Sequence, residues 1–392
     1  MNLSVNDLSL YIHVPFCFDK CDYCDFFSIP HHGRPDNRLL EREFRLIEAM
    51  GSRWLRRLQC RSLETIYIGG GTPSSIGLDR LERLLSIIAN LIKKEGIAFE
   101  GEYTMEANPR DISNDLIELL ESYKINRLSL GLQSLNDRDL RAIGRSGSRA
   151  QSLNALSVLS SRWKGRFSLD IIAGIPGQKS ESIDEIVETA AESGADHLSI
   201  YQLTIEEGTP LARKIAQGLR RAPQDEDYLR LFKHAVETAE KTGFKRYEVS
   251  AFARKGCESK HNLRYWYLRP YLGLGSGAVS TLPLADGRAL RFCTGKGRYM
   301  KEILSHRQRF TEALMTGFRL VAGVDESMIS GTGIPDHPFR LIRKTITDYR
   351  KRGLLFMKNG RMGLTHQGLD LLDRFLLDCL VELDITWPEN RS

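Results

Sequence analysis

No apolar run in this sequence approaches the roughly 20 residues that a membrane-crossing helix needs, so no helical span is expected. The opening residues, Met1 to Asp7, carry neither a basic stretch nor an apolar core, and no secretory signal is expected. No segment is of low complexity and no repeat of fixed period runs along the chain, which argues against disordered tails and solenoids. Cysteine is scarce, seven in 392 residues. Without an export signal those thiols are expected to be reduced, in a cytoplasmic protein rather than a disulfide scaffold. An excess of one charge is lacking too. The net charge of +6 is mild, and most lysines and arginines alternate with acids on predicted helices, the pattern of a solvated face. Apolar content of 41% and charged content of 27% are those of an ordinary globular chain, and the length favours two domains.

Against that scarcity, three of the seven cysteines fall within Cys17-Phe-Asp-Lys-Cys21-Asp-Tyr-Cys24, directly after the apolar run Leu8–Val14. Clustered thiols in a cysteine-poor chain point to a metal or a redox task. A closed zinc site takes four ligands, and the nearest histidines, His13, His31 and His32, fit no zinc-ribbon spacing. Iron–sulfur clusters are normally held by four cysteines. Three would leave one iron of a [4Fe–4S] cube open to another ligand.

Six short β-prone runs alternate with helical patterns. The strands are expected at 8–14, 64–69, 99–107, 126–132, 166–173 and 197–203. The helices between them are expected at 36–58, 78–92, 112–123, 136–143, 150–162 and 182–192. This is the pattern of βα units on a parallel sheet, with too few strands for a full eight-stranded barrel. The expected fold is α/β, a partial (β/α)6 barrel. From about residue 282 the pattern changes, dividing the chain into a core of 1–281 and an accessory part of 282–392. In the second part helices at 310–318 and 338–351, a hairpin at 353–365 turning on Asn359-Gly360, and a helix at 367–380 read as winged-helix-like. No recognition-helix pattern stands out, so a lid or docking role is expected there and no nucleic acid. Functional groups of such sheets gather at the C-terminal ends of strands. There stand Gly69-Gly70-Gly71-Thr72-Pro73, Glu106, Gln133 and Asp170. A single carboxylate at a strand end is as often structural as functional. Three polar groups aimed into one barrel mouth need partners, and a nucleoside with its ribose hydroxyls would supply them.

The spacing C-x3-C-x2-C resembles that of the radical S-adenosylmethionine (SAM) superfamily. The resemblance implies a [4Fe–4S] cluster on Cys17, Cys21 and Cys24. It also implies SAM chelating the open iron and an electron that cleaves SAM to a 5′-deoxyadenosyl radical. Tyr11-Ile-His-Val-Pro-Phe-Cys17, the triglycine with Thr72-Pro73, and the strand-end residues look like one branch of it. That branch contains oxygen-independent coproporphyrinogen III dehydrogenase and the heme chaperone HemW, and the likeness covers residues 8 to about 282. By that likeness Tyr11, Gly70, Glu106 and Arg145 would hold the SAM on the cluster. Gly71, Thr72, Gln133, Asp170, Thr204 and Val279 match contacts to a second SAM in the dehydrogenase. His261, taken alone, reads as a packed, hydrogen-bonded histidine. In His261-Asn262-Leu-Arg-Tyr265-Trp266 it resembles the heme motif H-N-x-x-Y-W of the chaperone, which would make it a heme contact.

Phe26 stands where the dehydrogenase has a further cysteine, and only about seven residues precede the first strand, which favours the chaperone. Gly147 stands where the branch usually has the histidine of Gly-Arg-x-His. The chaperone reading implies heme, heme-acceptor proteins including membrane-bound respiratory enzymes, an electron donor and a homodimer. It places the chain in the cytoplasm or at the membrane periphery. The alternative is the enzyme, oxidative decarboxylation of coproporphyrinogen III.

Overall fold

The computed structural model describes residues 7–222, 224–295, 298–330 and 337–387. Its centre is six parallel strands: β1 (Leu8–Val14), β2 (Ser62–Gly70), β3 (Ala98–Ala107), β4 (Arg127–Gln133), β5 (Arg166–Ala173) and β6 (His197–Gln202). Each matches a strand expected from the sequence. The strands alternate between two buried faces. Leu8, Leu10, Ile12 and Val14 of β1 and Ile66 and Ile68 of β2 pack outward against the helix layer.

The helices between strands form because their apolar residues recur at helical spacing and their ends are capped. The first, Asn37–Arg57, starts where the Asp36 carboxylate accepts from the N–H groups of Arg38 and Leu39. It buries Leu40, Phe44, Ile47 and Trp54. The helix Arg149–Arg162 opens on a capping box of Ser148 and Gln151. Helices Leu78–Lys94, Asn114–Ser122 and Ser180–Glu192 complete the outer layer as the sequence led one to expect.

The sheet extends beyond these six strands. The two short strands β7 (Lys245–Arg246) and β8 (Ala251–Ala253) flank β6, with β8 antiparallel to it. On the other side β9 (Tyr271–Leu274) pairs parallel with β1. An antiparallel meander follows: β10 (Val279–Pro283), β11 (Ala289–Gly295) and β12 (Arg298–Leu304). The order is β12-β11-β10-β9-β1-β2-β3-β4-β5-β6-β8-β7. The division expected at 282 therefore falls inside β10, and the sheet runs on to Leu304. After it a second, smaller core gathers Phe310, Leu314, Phe318, Tyr349, Phe375 and Leu383. It is built from helices His306–Gly317, Arg343–Lys351 and Leu372–Thr386 around the hairpin Leu355–Lys358 with Arg361–Leu364. Among the described residues no helix is long and apolar enough to cross a membrane.

Candidate functional site

The C-terminal ends of the six strands surround a cavity of about 430 Å³. Cys17, Cys21, Cys24, Gly70, Gly71, Thr72, Glu106, Gln133, Arg145, Asp170 and Thr204 all line it. Sequence positions spread over nearly two hundred residues thus converge on one space, because each lies in or after a strand of the same barrel.

The three cysteines sit at its rim, each partly exposed and none in a disulfide. The Cys17 thiol donates to the Asp19 carbonyl at 3.0 Å and lies 3.2 Å from Thr72 Oγ1. Arg145 Nη1 is 3.6 Å from Cys21 Sγ, while its Nη2 donates to the Gly131 carbonyl. Burial pushes the Cys24 thiol up to about 11, against a backbone N–H at Phe26 that pulls it down. Among the described residues no three His, Cys, Asp or Glu side chains gather around one point as a single metal ion requires. A cubane asks for something else, since each thiolate would bind its own iron. Three separate thiols around an open cavity, with a guanidinium beside one of them, suit that anionic group.

Deeper in the cavity are two half-buried carboxylates. Glu106 accepts from Tyr67 O–H at 2.8 Å and from Gly70 N–H at 3.1 Å. Ser129 O–H donates to Asp170 at 3.3 Å. Burial raises Glu106 to about 7, with Tyr67 and Gly70 opposing and the charge of Asp170 adding to the rise; burial likewise raises Asp170 to about 6. Neither has a salt-bridge partner among the described residues. A ligand carrying a cationic group and hydroxyls would relieve both carboxylates. Gln133 closes β4 with φ of 70°, a left-handed backbone unusual for a side chain of its size, at a register irregularity between Gly131 and Gln133. That turn keeps it on the cavity wall.

The raised carboxylates have a consequence for stability. Between the ordinary carboxylate range and about 7, the unfolded chain has released a proton that folded Glu106 retains. The folded state then binds more protons, and stability falls as pH rises through that window. His261, lowered to about 3 by burial and then by Arg264, acts in the opposite direction below the ordinary histidine range. The Glu106 share is therefore the difference between wild type and Glu106→Gln. From about pH 5 to about pH 7.5 the melting temperature of the cluster-free variant should fall less than that of wild type. Equal slopes would remove the assignment.

Three expected contacts are not brought to the cavity. The Tyr11 hydroxyl donates to His13 Nδ1 at 3.0 Å, fixed by His13 Nε2–H donating to the Phe27 carbonyl at 3.0 Å. Val279 begins β10 with its side chain 38% exposed. His261 is 1% exposed, inside the barrel wall. Thr65 donates its proton to Ser9 at 2.8 Å, so its Oγ1 accepts from His261 Nδ1–H at 2.7 Å. The Nε2 lone pair is taken by the Tyr265 hydroxyl at 2.8 Å, and the ring stacks on Tyr67 at 4.9 Å. Heme iron needs that lone pair. As placed, then, His261 is a packed, doubly hydrogen-bonded histidine whose Nε2 lone pair is engaged by Tyr265. Of its motif only Asn262 reaches the cavity, and Trp266 packs under Arg319, 4.6 Å from ring centre to guanidinium.

The cavity also has a polar floor that the sequence reading passed over. Thr104, Arg127, Ser129, Ser168, His197 and Ser199 line it. Arg127 pairs with Glu102 at 3.3 Å and donates to the Cys257 carbonyl at 3.1 Å.

Comparison with known proteins agrees with this geometry. The family model described as Radical SAM superfamily matches residues 11–190. A protein of Lactococcus lactis named heme chaperone HemW is 32% identical over 94% of this chain and 97% of its own. A Bos taurus protein named radical S-adenosyl methionine domain-containing protein 1, mitochondrial, is 30% identical over 97% of this chain and 89% of its own. Among solved structures, coproporphyrinogen III oxidase (HemN) of Escherichia coli, described as a radical SAM enzyme, superposes with a TM-score of 0.78. That match is 20% identical and covers 96% of this chain and 90% of the other, which shows a shared fold. Fold and site define a radical SAM protein. The chain belongs to the radical SAM superfamily, in the family of the relatives named heme chaperone HemW.

Proposed function

We propose that this chain is a heme chaperone that carries a [4Fe–4S] cluster and SAM, binds heme and passes it to heme-requiring proteins. The observation that carries the cofactor part is the convergence of three separate thiols, Arg145 and two carboxylates that burial raises above their ordinary range on one cavity. The heme part is supported by the names of relatives matched over nearly the whole chain. Cys17, Cys21 and Cys24 hold the cluster, and Arg145 offsets the negative charge beside Cys21. Gly70 and Glu106 would hold SAM, and the positive charge of its amino group would draw Glu106 into its ionised form. Gln133, Asp170 and Thr204 line the same cavity, and by the family likeness they would meet a second SAM. When bound, the reduced cluster supplies the electron that cleaves SAM. The chain's own groups orient the ligand and exclude water from it. Acceptor proteins, an electron donor and a homodimer belong to the same reading.

Titration of heme into the reconstituted protein, followed by the Soret band, tests it. Saturation near one heme per chain supports the chaperone, and weak, non-saturating uptake removes it in favour of coproporphyrinogen III turnover. The buried setting of His261 gives a further expectation. A His261→Ala chain should keep the wild-type Soret position while melting at a lower temperature, since it loses packing and two hydrogen bonds but no iron ligand. A displaced Soret band would return His261 to the heme.

A further inference from the structure

The six core strands do not close on themselves. The free edge of β1 is taken by β9 and that of β6 by β8. Yet the segment after β1 and the segment after β6 meet across the open rim, and they meet at one residue between two cysteines. Asp22 N–H donates to the Ile143 carbonyl at 2.9 Å, tying the loop to the end of the helix Asp137–Ala142 after β4. Leu211 N–H donates to the Asp22 carbonyl at 2.8 Å, tying it to the first turn of the helix Pro210–Ala216 after β6. The Asp22 carboxylate pairs with the Lys214 ammonium of that same helix; the acid is 15% exposed and the lysine 42%. The next residue adds an apolar anchor. Tyr23 packs on a small separate cluster that includes Ile143, Leu203 and Leu211, contributed by the segments after β4 and β6. Gly144 leaves no spare room: a Cβ there would stand 2.6 Å from Asp22 Oδ2, on a backbone with φ of 66°.

We propose that Asp22 is a positioning residue, the clasp that closes the rim of this open barrel and fixes Cys21 and Cys24 over the cavity. The proposal rests on the reading that those cysteines hold a cluster. Two backbone bonds and an ion pair converge on one residue of a loop that has no regular structure of its own, and they tie it to two different elements. An open loop carrying two of three ligands must be ordered before it can bind. The clasp supplies that order from the far end of the barrel, where β1 and β6 do not pair with each other.

The test measures loop opening without requiring the cluster. The full-length, cluster-free chain is treated with iodoacetamide under reducing conditions, and the labelling rate of each cysteine is read by peptide mass spectrometry. Cys60 and Cys379, both buried, report global unfolding in the same digest. Asp22→Ala and Lys214→Ala should each label Cys21 and Cys24 faster by about fivefold, the scale of one partly buried ion pair. Gly144→Ala should do so by more. Because the two alanine variants change the local charge in opposite directions, a purely electrostatic effect on the thiols would speed one and slow the other. Faster labelling in both, with recovery in the swapped pair Asp22→Lys/Lys214→Asp, supports the clasp. Opposite signs, or rates equal to wild type, overturn it. Iron uptake separates this from the cofactor reading. A wild type that reconstitutes no four-iron cluster overturns the reading, whereas a loaded wild type beside an equally loaded, equally slow-labelling Asp22→Ala chain overturns only the clasp.

Discussion

A Cys21→Ala chain should fold as wild type does and take up no [4Fe–4S] cluster. The argument is one of supply. Of the seven cysteines, only Cys17, Cys21 and Cys24 line the cavity. Cys60 donates to the Ser62 carbonyl at 3.3 Å, Cys257 lies against Asp196, Cys293 sits in β11 opposite Val279, and Cys379 is enclosed in the C-terminal core. None of these can replace a lost thiol, and with two ligands left a cube would have two irons open. Loss of an outer contact alone commonly costs 10- to 100-fold in metal affinity, so loss of a ligand should lower iron uptake by at least about tenfold. Cys21 is partly exposed and packs little apolar surface, so the melting temperature of the cluster-free chain should hardly move. Iron and sulfide analysis after anaerobic reconstitution decides the matter. Retention of a full cluster by Cys21→Ala, or its loss from Cys60→Ala or Cys257→Ala, would mean that the ligands are elsewhere.

The second large effect is one of stability. Gly71→Ala should destabilise the cluster-free chain by about 3 kcal/mol, the upper end of what overpacking costs. Gly71 N–H donates to the Val14 carbonyl at 2.8 Å and Thr72 N–H to the Phe16 carbonyl at 2.7 Å, so the triglycine segment lies flat against the start of the cysteine loop. A Cβ on Gly71 would overlap the Phe16 carbonyl group, standing 2.7 Å from its carbon. Backbone cannot rotate out of the way as a side chain can. Either the strand end moves or the loop does, and both routes disturb Cys17 and Thr72. Thermal unfolding should show a fall of several degrees, accompanied by poorer cluster uptake. A melting temperature unchanged from wild type would show that the segment yields freely, and the triglycine would then owe its composition to ligand approach alone.

How much of this was legible in the sequence differs from part to part. The six core strands and their helices were readable because each strand is a short apolar run between turn residues, and each helix repeats its leucines at regular spacing. The meander β10–β12 was not read. Its signal was present in Asp286-Gly287, a hairpin dipeptide between Leu282 and Leu290, but Arg288, Arg291 and Lys301 mask the alternation on the solvent face. The strand-end residues were found one by one, while the floor of the cavity was missed. Stepping back two residues from each would have found it, because alternate residues of a strand share a face. Glu106 leads to Thr104, Gln133 through Gly131 to Ser129 and Arg127, and Asp170 to Ser168, all of which line the cavity. His261 shows the opposite limit. Its neighbours in sequence suggested a ligand, but only the fold brings Thr65 and Tyr67, about two hundred residues away, against its ring.

The pairing of β1 with β9 also sets an order of events during synthesis. The strand that leads into the cysteine loop lies near the start of the chain, and its second neighbour is Tyr271–Leu274. The chain emerges from the ribosome N-terminus first. The three thiols are thus made well before the segments 210–216 and 271–274 that support their loop. Until residue 274 has been translated, the edge of β1 is bare, and helix Pro210–Ala216 has only just become available to hold the loop. The cysteine loop therefore gains its full support only after residues 210–216 and 271–274 have been added, long after the thiols themselves.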